Sequence, residues 1–275
     1  MATATALVER GVRVFGSVRT EADAARLSTE LGDSFVPLIF DVTDADAIAR
    51  AAEIVAVQVG ESGLHGLVNS AGISLAGPIQ DIEPELMRRS FDVNVMGVVH
   101  TIQAFLPLLK ASRDRWNKPG RIVNVSSLSG RNAYPFMGPY AASKHALEAL
   151  SDSLRRELMI YGVDVIVIQP GNIDTPIWEK SRGIREDYAH TDYATVLARI
   201  DTVRTGEHAL PVSRVTDRIL DALNRRRPKA RYLIPDDWVR FWIAPRLLPD
   251  RWFDFFVDRY LNFERVRAQL RRSDD

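Results

Sequence analysis

A tyrosine and a lysine that could carry out acid/base chemistry stand four residues apart in Tyr140-Ala-Ala-Ser-Lys144. At helical spacing their side chains share one face, with Cβ atoms about 5–6 Å apart. A free tyrosine titrates near pKa ~10, so a cation that favours the phenolate makes the phenol a general acid or base closer to neutrality. The pair alone is more often a packed ring beside a solvated charge. However, only this tyrosine of seven has a lysine four residues on, and Ser127 precedes it by thirteen residues.

The elements that would position this pair follow an alternating pattern. Short apolar, β-branched runs alternate with longer stretches of helical periodicity, which predicts an α/β fold: a Rossmann-like, doubly wound parallel sheet in a single domain over residues 1–235. The strand runs are Val12–Phe15, Phe35–Phe40, Gly66–Val68, Arg121–Val125, Val163–Ile168 and Arg231–Ile234. The helical stretches are Glu21–Leu31, Ala45–Val59, Glu85–Ser112, Tyr140–Tyr161 and Val215–Arg225. Because the strand runs are almost continuously apolar, we expect helices on both faces of the sheet.

The residues that directly follow each strand run are polar or glycine-rich. In a sheet of this kind, ligands bind beyond the carboxyl ends of the strands, so these residues are the first candidates for a binding site. In chain order they are Gly16–Arg19, Asp41-Val42, Asn69–Gly72, Ser126-Ser127 and Pro170-Gly171.

Composition argues against several classes of function. Lys plus Arg and Asp plus Glu both total 36, so the net charge of zero gives no global support for a nucleic-acid partner. The chain has no cysteine, which excludes thiolate catalysis and fits a reducing, cytoplasmic compartment. The five histidines show no metal-ligand spacing, so we expect no metal site. The amino terminus does not resemble a signal peptide, and the continuous apolar runs are shorter than the ~20 residues that span a bilayer.

Together, these residues resemble the short-chain dehydrogenase/reductase family. The resemblance rests on Asn69-Ser70-Ala71-Gly72, Asn94, Ser127, Tyr140-x-x-x-Lys144 and Pro170-Gly171-x-x-x-Thr175, which stand in the family's order and spacing. It covers residues 5–235 and is similar to the bacterial relatives of steroid, retinol and hydroxybutyrate dehydrogenases. It implies an oxidoreductase that moves a hydride between a nicotinamide cofactor and an alcohol or carbonyl carbon of a small-molecule substrate.

The resemblance assigns catalytic roles to four of these residues. Tyr140 would donate or accept the proton, and Lys144 would modify the pKa of Tyr140 and bind the nicotinamide ribose. Ser127 would bind the substrate oxygen, where a preorganised hydroxyl stabilises developing charge. Asn94 would hold a water that links Lys144 to solvent, although a helical amide with a local backbone hydrogen bond is nearly as good an interpretation.

The resemblance also assigns cofactor contacts. The first strand run ends without the acidic residue that binds the ribose hydroxyls of NAD, and Arg19 and Thr20 stand there instead. A guanidinium at this place can bind the 2′-phosphate of NADP(H), so we favour NADP(H) as the cofactor, with NAD(H) as the alternative. The simplest interpretation of this residue is a solvated arginine. The other matching positions are Asp41, Val42, Asn69, Ala71, Gly72, Pro170, Gly171, Ile173 and Thr175, together with Tyr140 and Lys144.

One part of the family pattern is absent. The first strand and its turn, Thr-Gly-x-x-x-Gly-x-Gly, should precede the helix that ends at Arg10, yet no glycine precedes Gly11. We therefore expect that the true start lies upstream of Met1, and that the sheet has a gap between the strands beginning near Val12 and Gly66. A non-catalytic remnant that binds a partner or acts as a regulator is the alternative.

The carboxyl-terminal part, residues 236–275, is expected to form a helical, aromatic-rich extension. Nine of the 23 aromatic residues lie beyond Pro235, and Trp252, Phe256, Tyr260 and Phe263 fall on one helical stripe. The stripe either packs on the domain or a dimer partner, or touches a membrane and admits an apolar substrate such as a sterol, retinoid or fatty alcohol. Residues 176–212 are expected to form a substrate lid. The family resemblance suggests dimers or tetramers through Glu85–Ser112 and Tyr140–Tyr161.

Overall fold

Parallel strands form the centre of the molecule. A computed structural model describes residues 1–109, 119–177, 184–198, 209–235, 237–239 and 243–273. Within these ranges the strands are β1 (Val14–Val18), β2 (Phe35–Ile39), β3 (Gly66–Asn69), β4 (Arg121–Val125), β5 (Asp164–Pro170) and β6 (Arg231–Ile234). Every hydrogen-bonded pair of these strands is parallel, as predicted.

Helices connect the strands and begin or end where the sequence supplies caps. Thr20 and Asp44 accept backbone N–H bonds at the starts of the second and third helices, and Gly32 and Gly60 end them with φ of 68° and 53°. The helices are α1 (Ala2–Val8), α2 (Glu21–Leu31), α3 (Ala45–Val59), α4 (Pro84–Phe91), α5 (Gly97–Leu109), α6 (Gly138–Glu157), α7 (Ile184–Asp187), α8 (Ser213–Asn224), α9 (Ala244–Leu247), α10 (Asp250–Leu261) and α11 (Phe263–Ser273).

Some element boundaries differ from those predicted. The first strand is Val14–Val18 rather than Val12–Phe15, since its register begins with Val14 opposite Phe35. The predicted helix Glu85–Ser112 is α4 and α5, separated by a π-helical turn at Asp92–Met96, and residues 110–112 lie outside the described ranges.

Helices cover both faces of the four-stranded part of the sheet. On one face, Val98, Ile102 and Leu109 of α5 pack with Leu147 of α6 and with strand residues such as Ile122. On the other face, the apolar side of α8 packs against β4 and β5. Within the described residues, the run Pro84–Leu109 is long and apolar enough to cross a bilayer by length and composition alone. Its packing in the core explains that composition.

The sheet is interrupted between β1 and β3. β1 pairs with β2, and β3 belongs to a separate sheet with the order β3-β4-β5-β6. Phe15 of β1 and Leu67 of β3 nevertheless pack against the same apolar cluster under α3 and α5. The two strands therefore belong to separate hydrogen-bonded sheets that share one apolar cluster, and a missing strand between them stays a prediction.

The carboxyl-terminal helices pack on the domain with one face only. Phe253 contacts the Tyr134 ring, and Leu261 lies in a buried cluster. On the opposite side Trp252 is 64% exposed and Phe256 is 52% exposed. The predicted stripe is wrong at its end: Asn262 adopts a left-handed conformation that ends α10, so Phe263 belongs to α11 and points into the same buried cluster. The two interpretations of the aromatic stripe, packing or contact with a membrane, therefore both concern a single face of α10.

Candidate active site

Three side chains with the predicted catalytic chemistry meet at the start of α6. Tyr140 lies in the first turn of this helix, where Pro139 initiates the helix without needing a backbone partner. Ser127 follows β4, accepts a hydrogen bond from the Ser129 N–H at 3.0 Å, and is hydrogen-bonded to the Tyr140 hydroxyl. Both are buried. The structure therefore brings together the hydroxyl groups of two residues that are thirteen positions apart in sequence.

Lys144 lies one turn beyond Tyr140 and is also buried, with 3% of its surface exposed. Its Nζ donates to the Val125 carbonyl oxygen at 2.9 Å and lies 5.8 Å from the centre of the Tyr140 ring. Burial lowers the pKa of Lys144 to about 8, and the negative charge of Glu148 acts in the opposite direction. The ammonium is therefore costly to keep charged at this place, which is typical of a functional lysine.

The pKa of Tyr140 differs from the sequence-based expectation. Burial raises it, and the hydrogen bond from Ser127 opposes the increase. Lys144 was expected to lower the pKa of Tyr140, but its ammonium donates to a backbone carbonyl and lies beside the ring rather than at the hydroxyl. In this arrangement the hydroxyl holds its proton, so Tyr140 is set up as a proton donor.

Asn94 joins the π-helical turn to the strand–loop segment that follows β3. Its Oδ1 accepts from the Ile73 N–H at 2.9 Å, and its Nδ2 donates to the Ile73 carbonyl oxygen at 2.9 Å and to Ser143 Oγ at 2.9 Å. A Cβ at Gly72 would lie 3.2 Å from Asn94 Oδ1 and 3.6 Å from Lys144 Nζ. Asn94 therefore does bond to backbone, but to a residue 21 positions away rather than locally.

The predicted adenine-side residues lie at or beyond the carboxyl ends of β2 and β3. The Asp41 carboxylate is exposed and accepts from the Thr43 N–H at 3.0 Å. Val42 packs closely on α5, since a Cβ at Gly97 would lie 2.9 Å from Val42 Cβ. The Asn69 side chain donates to Asn124 Oδ1 at 2.9 Å inside the sheet, whereas Ala71 is exposed at the edge.

The residues predicted at the nicotinamide end begin with Pro170, the last residue of β5, and continue after it. The Pro170 carbonyl oxygen lies 3.4 Å from Ser127 Oγ, and the Gly171 N–H donates to the carbonyl oxygen of Ile234. Ile173 is buried and forms a bridge with Leu210, and Thr175 is partly exposed beside it. This segment therefore passes directly next to the Ser127 hydroxyl group.

Arg19 and Thr20 lie at the carboxyl end of β1. Arg19 is exposed, so its guanidinium is accessible to an anionic ligand. Thr20 Oγ1 caps α2 by accepting from the Asp23 N–H at 3.1 Å. The cap positions the first turn of α2, whose N–H groups and positive dipole favour an anion at this point.

The residues along this edge can be compared with the groups of a nicotinamide dinucleotide. The buried Lys144 ammonium beside Tyr140 is a donor for ribose hydroxyls, and the exposed Asp41 carboxylate is an acceptor at the other end of the same edge. The donor chemistry fits both ends of such a cofactor. The described chain has no Gly-rich turn between a strand and α1 to bind the pyrophosphate.

An aromatic cluster close to Tyr140 in the chain was not identified from the sequence. Phe136 lies four residues before Tyr140 and has a left-handed φ of 68°, and its ring contacts that of Tyr193 at 5.2 Å. Tyr188 packs over Gly77, where a Cβ would lie 2.6 Å from the Tyr188 hydroxyl. Tertiary packing brings these residues together. The one sequence signal that could have identified the cluster is the proximity of Phe136 to Tyr140 in the chain. Residues 178–183 and 199–208 of the predicted lid lie outside the described ranges.

The fold and the site together define a class of protein. A doubly wound parallel sheet with buried Ser, Tyr and Lys side chains at its carboxyl edge is the architecture of a dinucleotide-dependent oxidoreductase. The family description "short chain dehydrogenase" matches residues 1–185. The chain therefore belongs to the short-chain dehydrogenase family and is a nicotinamide-dependent oxidoreductase.

Several known proteins are similar to this chain over most of its length. An NADPH-dependent 3-dehydrocapnine reductase of Ornithobacterium rhinotracheale is 41% identical over 254 residues, which cover 90% of this chain and 89% of the relative. Retinol dehydrogenase 16 of Mus musculus is 34% identical, with 96% and 84% covered. A short chain dehydrogenase from Burkholderia cenocepacia, solved in complex with NADP, has a TM-score of 0.67 at 27% identity, with 90% and 87% covered. None of these comparisons supports the non-catalytic alternative.

Proposed function

We propose that this protein is an NADP(H)-preferring reductase or alcohol dehydrogenase that acts on the carbonyl or hydroxyl group of an apolar small molecule. The observation that carries this proposal is the hydrogen bond between the buried Ser127 and Tyr140 hydroxyls, with Lys144 one turn below. The relatives named above, a 3-dehydrocapnine reductase and a retinol dehydrogenase, support this chemistry. The aromatic cluster around Phe136 supports an apolar substrate such as a sterol, retinoid or fatty alcohol.

In the reductive direction, the substrate carbonyl oxygen accepts hydrogen bonds from Ser127 and Tyr140. When bound, the nicotinamide cofactor supplies the hydride to the carbonyl carbon. Tyr140 transfers its proton to the oxygen as negative charge develops there, and the product is an alcohol. The Lys144 ammonium would bind the nicotinamide ribose, and Asn94 holds the loop at Ile73 against this site. Oxidation of an alcohol follows the same steps in reverse.

We assign the cofactor contacts to the residues that line the carboxyl edge. Arg19 and Thr20 would bind the 2′-phosphate, which is the basis for preferring NADP(H) over NAD(H). Lys144 and Tyr140 would bind the nicotinamide ribose. The remaining contacts would be made by Asp41, Val42, Asn69, Ala71 and Gly72 at the adenine side and by Pro170, Gly171, Ile173 and Thr175 at the nicotinamide side.

Oxidation of NADPH in the presence of long-chain and steroid ketones tests the proposal. Tyr140→Phe should lower kcat by about 10²–10⁴-fold, which is the usual contribution of a general acid, with NADPH affinity retained. Tyr161→Phe, at an exposed position beyond the same helix, is the matched control and should leave turnover unchanged. Full activity of Tyr140→Phe on a ketone substrate would remove the acid role.

We also propose that one more parallel strand, followed by a Gly-rich turn, completes the sheet in the gap between β1 and β3. The facing edges of these strands are not paired with one another, and an added strand needs about 4.8 Å on each side. NADPH binding should be measured by calorimetry on the chain as given and on a form extended before Met1 by a strand and such a turn. Tighter binding by the extended form is expected, and equal binding would contradict this proposal.

The outward face of α10 is the basis for a second proposal, peripheral contact of a cytoplasmic protein with a membrane. Trp252, Phe255 and Phe256 are each more than half exposed, and the Arg259 guanidinium lies 5.9 Å above the Phe255 ring. Aromatic rings beside arginines favour the interface of an anionic bilayer. Phe256→Glu should weaken sedimentation with anionic liposomes, whereas Val57→Glu, at an exposed position of α3, should not.

Self-association through the α4–α5 and α6 helices is proposed as well. Met96 of the π-helical turn between α4 and α5 and Leu150 of α6 are each more than 40% exposed, and an interface between copies would bury both side chains. Light scattering after size exclusion should give a dimer or tetramer, and Leu150→Glu should lower that mass. A monomer at all concentrations would contradict this proposal.

A further inference from the structure

Glu148 is a buried carboxylate one helical turn beyond Lys144 on α6. It is 4% exposed, and its neighbours come from three other parts of the chain. Gln169 Nε2 of β5 donates to Oε1 at 2.8 Å, and Arg231 Nε of β6 donates to Oε2 at 3.0 Å. Arg131, in the segment after Ser127, lies 3.5 Å from Oε2. A buried charge is kept only when it is paired in this way.

The same carboxylate holds the turn that carries Ser127. This turn passes so close to α6 that a Cβ at Gly130 would lie 3.0 Å from Glu148 Cγ and 3.0 Å from the Lys144 carbonyl oxygen. Gln169 directly precedes Pro170, whose carbonyl oxygen lies 3.4 Å from Ser127 Oγ. Glu148 therefore connects the catalytic helix to the two segments on either side of the Ser127 hydroxyl.

Charge is the second link between Glu148 and the catalytic residues. Residues four apart on a helix face have Cβ atoms about 5–6 Å apart, so the carboxylate is the nearest anion on α6 to the buried Lys144 ammonium. The two are coupled electrostatically, and Glu148 favours the charged form of Lys144 against the effect of burial. The cations around Glu148, Arg131 and Arg231, act in the opposite sense.

We propose that Glu148 is a positioning residue that keeps the buried Lys144 ammonium charged and holds the turn after Ser127 against α6. This inference rests on the proposed catalytic role of Lys144. The groups that face this pair are Tyr140 and Asp152 on α6, Asn94 on the π-helical turn, Arg131 after Ser127, Gln169 on β5, Arg231 on β6, and Arg246 on α9, whose guanidinium is repelled by both arginines.

The titration of Lys144 can be followed directly, because the chain contains five lysines. In protein labelled with ¹⁵N-lysine, the Nζ signal of Lys144 is assigned by its loss in Lys144→Met. Glu148→Gln keeps the shape and one acceptor oxygen, replaces the other oxygen with an N–H donor, and removes the charge. Its Lys144 titration should move to lower pH by about one pH unit, the size expected for a charge at this separation in a partly polar interior.

Two further variants fix the sign and the location of the effect. Arg231→Gln removes a cation beside Glu148, so the Lys144 titration should move to higher pH. Asp152→Asn is the matched control: it removes a carboxylate that binds the same Arg231 at 2.8 Å but lies two turns from Lys144, and it should leave the titration in place. Glu148→Asp retains the charge and should resemble the unmodified protein.

The outcomes separate this inference from the proposed function. A Lys144 titration unchanged in Glu148→Gln, or equally shifted in Asp152→Asn, overturns the role of Glu148 whether or not the enzyme reduces ketones. If Glu148→Gln does not fold, the inference is tested by Arg231→Gln, in which the Lys144 titration should move to higher pH. A titration that does not move in Arg231→Gln overturns the inference. The alkaline limb of kcat/KM should move in the same direction as the Lys144 titration in each variant that folds.

Discussion

Asn94 and Ile73 form a reciprocal pair of hydrogen bonds, each 2.9 Å long, between an amide side chain and a backbone N–H and carbonyl. Asn94 is fully buried, so its removal leaves two polar groups of Ile73 without a partner. Asn94→Ala should therefore lower the free energy of unfolding by about 2–4 kcal/mol. Urea denaturation measures this loss. Asn224→Ala, which removes an exposed amide at the end of α8, should cost less than about 1 kcal/mol; equal losses would contradict the proposed importance of the Asn94–Ile73 pair.

The activity should depend on pH through Lys144. Its pKa is lowered to about 8, so the ammonium is present below about pH 8 and is lost above it. For ketone reduction, kcat/KM is expected to fall above about pH 8, and Lys144→Arg should extend the plateau upward because arginine stays charged. If the alkaline limb of kcat/KM is identical in Lys144→Arg, the limb arises from the titration of another group.

The same titration affects stability with a definite sign. Between about pH 8 and the ordinary lysine pKa of 10.5, the unfolded chain holds the Lys144 proton and the folded chain does not. The contribution of this group therefore becomes more favourable to the folded state as the pH rises through that window, and the unfavourable contribution is fully present below it. Comparing the pH dependence of unfolding in the unmodified chain and Lys144→Met isolates this contribution.

Arg19 should decide between the two nicotinamide cofactors. Arg19→Asp replaces an exposed cation at the carboxyl end of β1 with a carboxylate that favours ribose hydroxyls over a phosphate. The ratio of kcat/KM for NADPH to that for NADH should fall by about 10-fold or more. Arg13→Gln, at an exposed arginine that bonds to Gln58, is the control and should leave the ratio unchanged. An unaltered ratio in Arg19→Asp would exclude a phosphate contact.

Phe136 and Asn262 are non-glycine residues with left-handed backbone, and they should respond differently to glycine. At Phe136, glycine relieves about 1 kcal/mol of strain but removes a buried ring worth about 3–5 kcal/mol, so Phe136→Gly should lower the free energy of unfolding by about 2–4 kcal/mol. Asn262→Gly, at an exposed position, should stay within about 0.5 kcal/mol of the unmodified chain. A neutral Phe136→Gly would show that the ring contributes no packing.

The features that sequence predicts well in this chain are those that local chemistry determines. The bounds of β4 and β6 and of the capped helices α2 and α3 agree with the prediction, because apolar runs and cap residues act within a few positions. Ser127, Tyr140 and Lys144 were identified because strand ends and helical spacing can be counted. Their meeting follows from the parallel topology.

Other features depend on contacts between distant segments and could not be predicted by counting positions along the sequence. The helical stripe through Phe263 failed because it assumed one continuous helix, whereas the chain reverses its local conformation at Asn262. The environment of Glu148 is built by Arg131, Gln169 and Arg231, none of which is its sequence neighbour. Phe136 in a left-handed conformation is disfavoured locally and is maintained by the surrounding aromatic packing.

The interruption between β1 and β3 also divides the molecule into two cooperative units that differ in their free energy of local opening. The β1–β2 pair is joined to the larger sheet by side-chain packing, including α1, whose Leu7 and Val8 contact clusters on the two sides. Backbone hydrogen bonds do not link the two sheets, so the smaller sheet can open while the larger one stays closed. Amide protons of β1 and β2 should therefore exchange with solvent deuterons through a partial opening, well before those of β4 and β5.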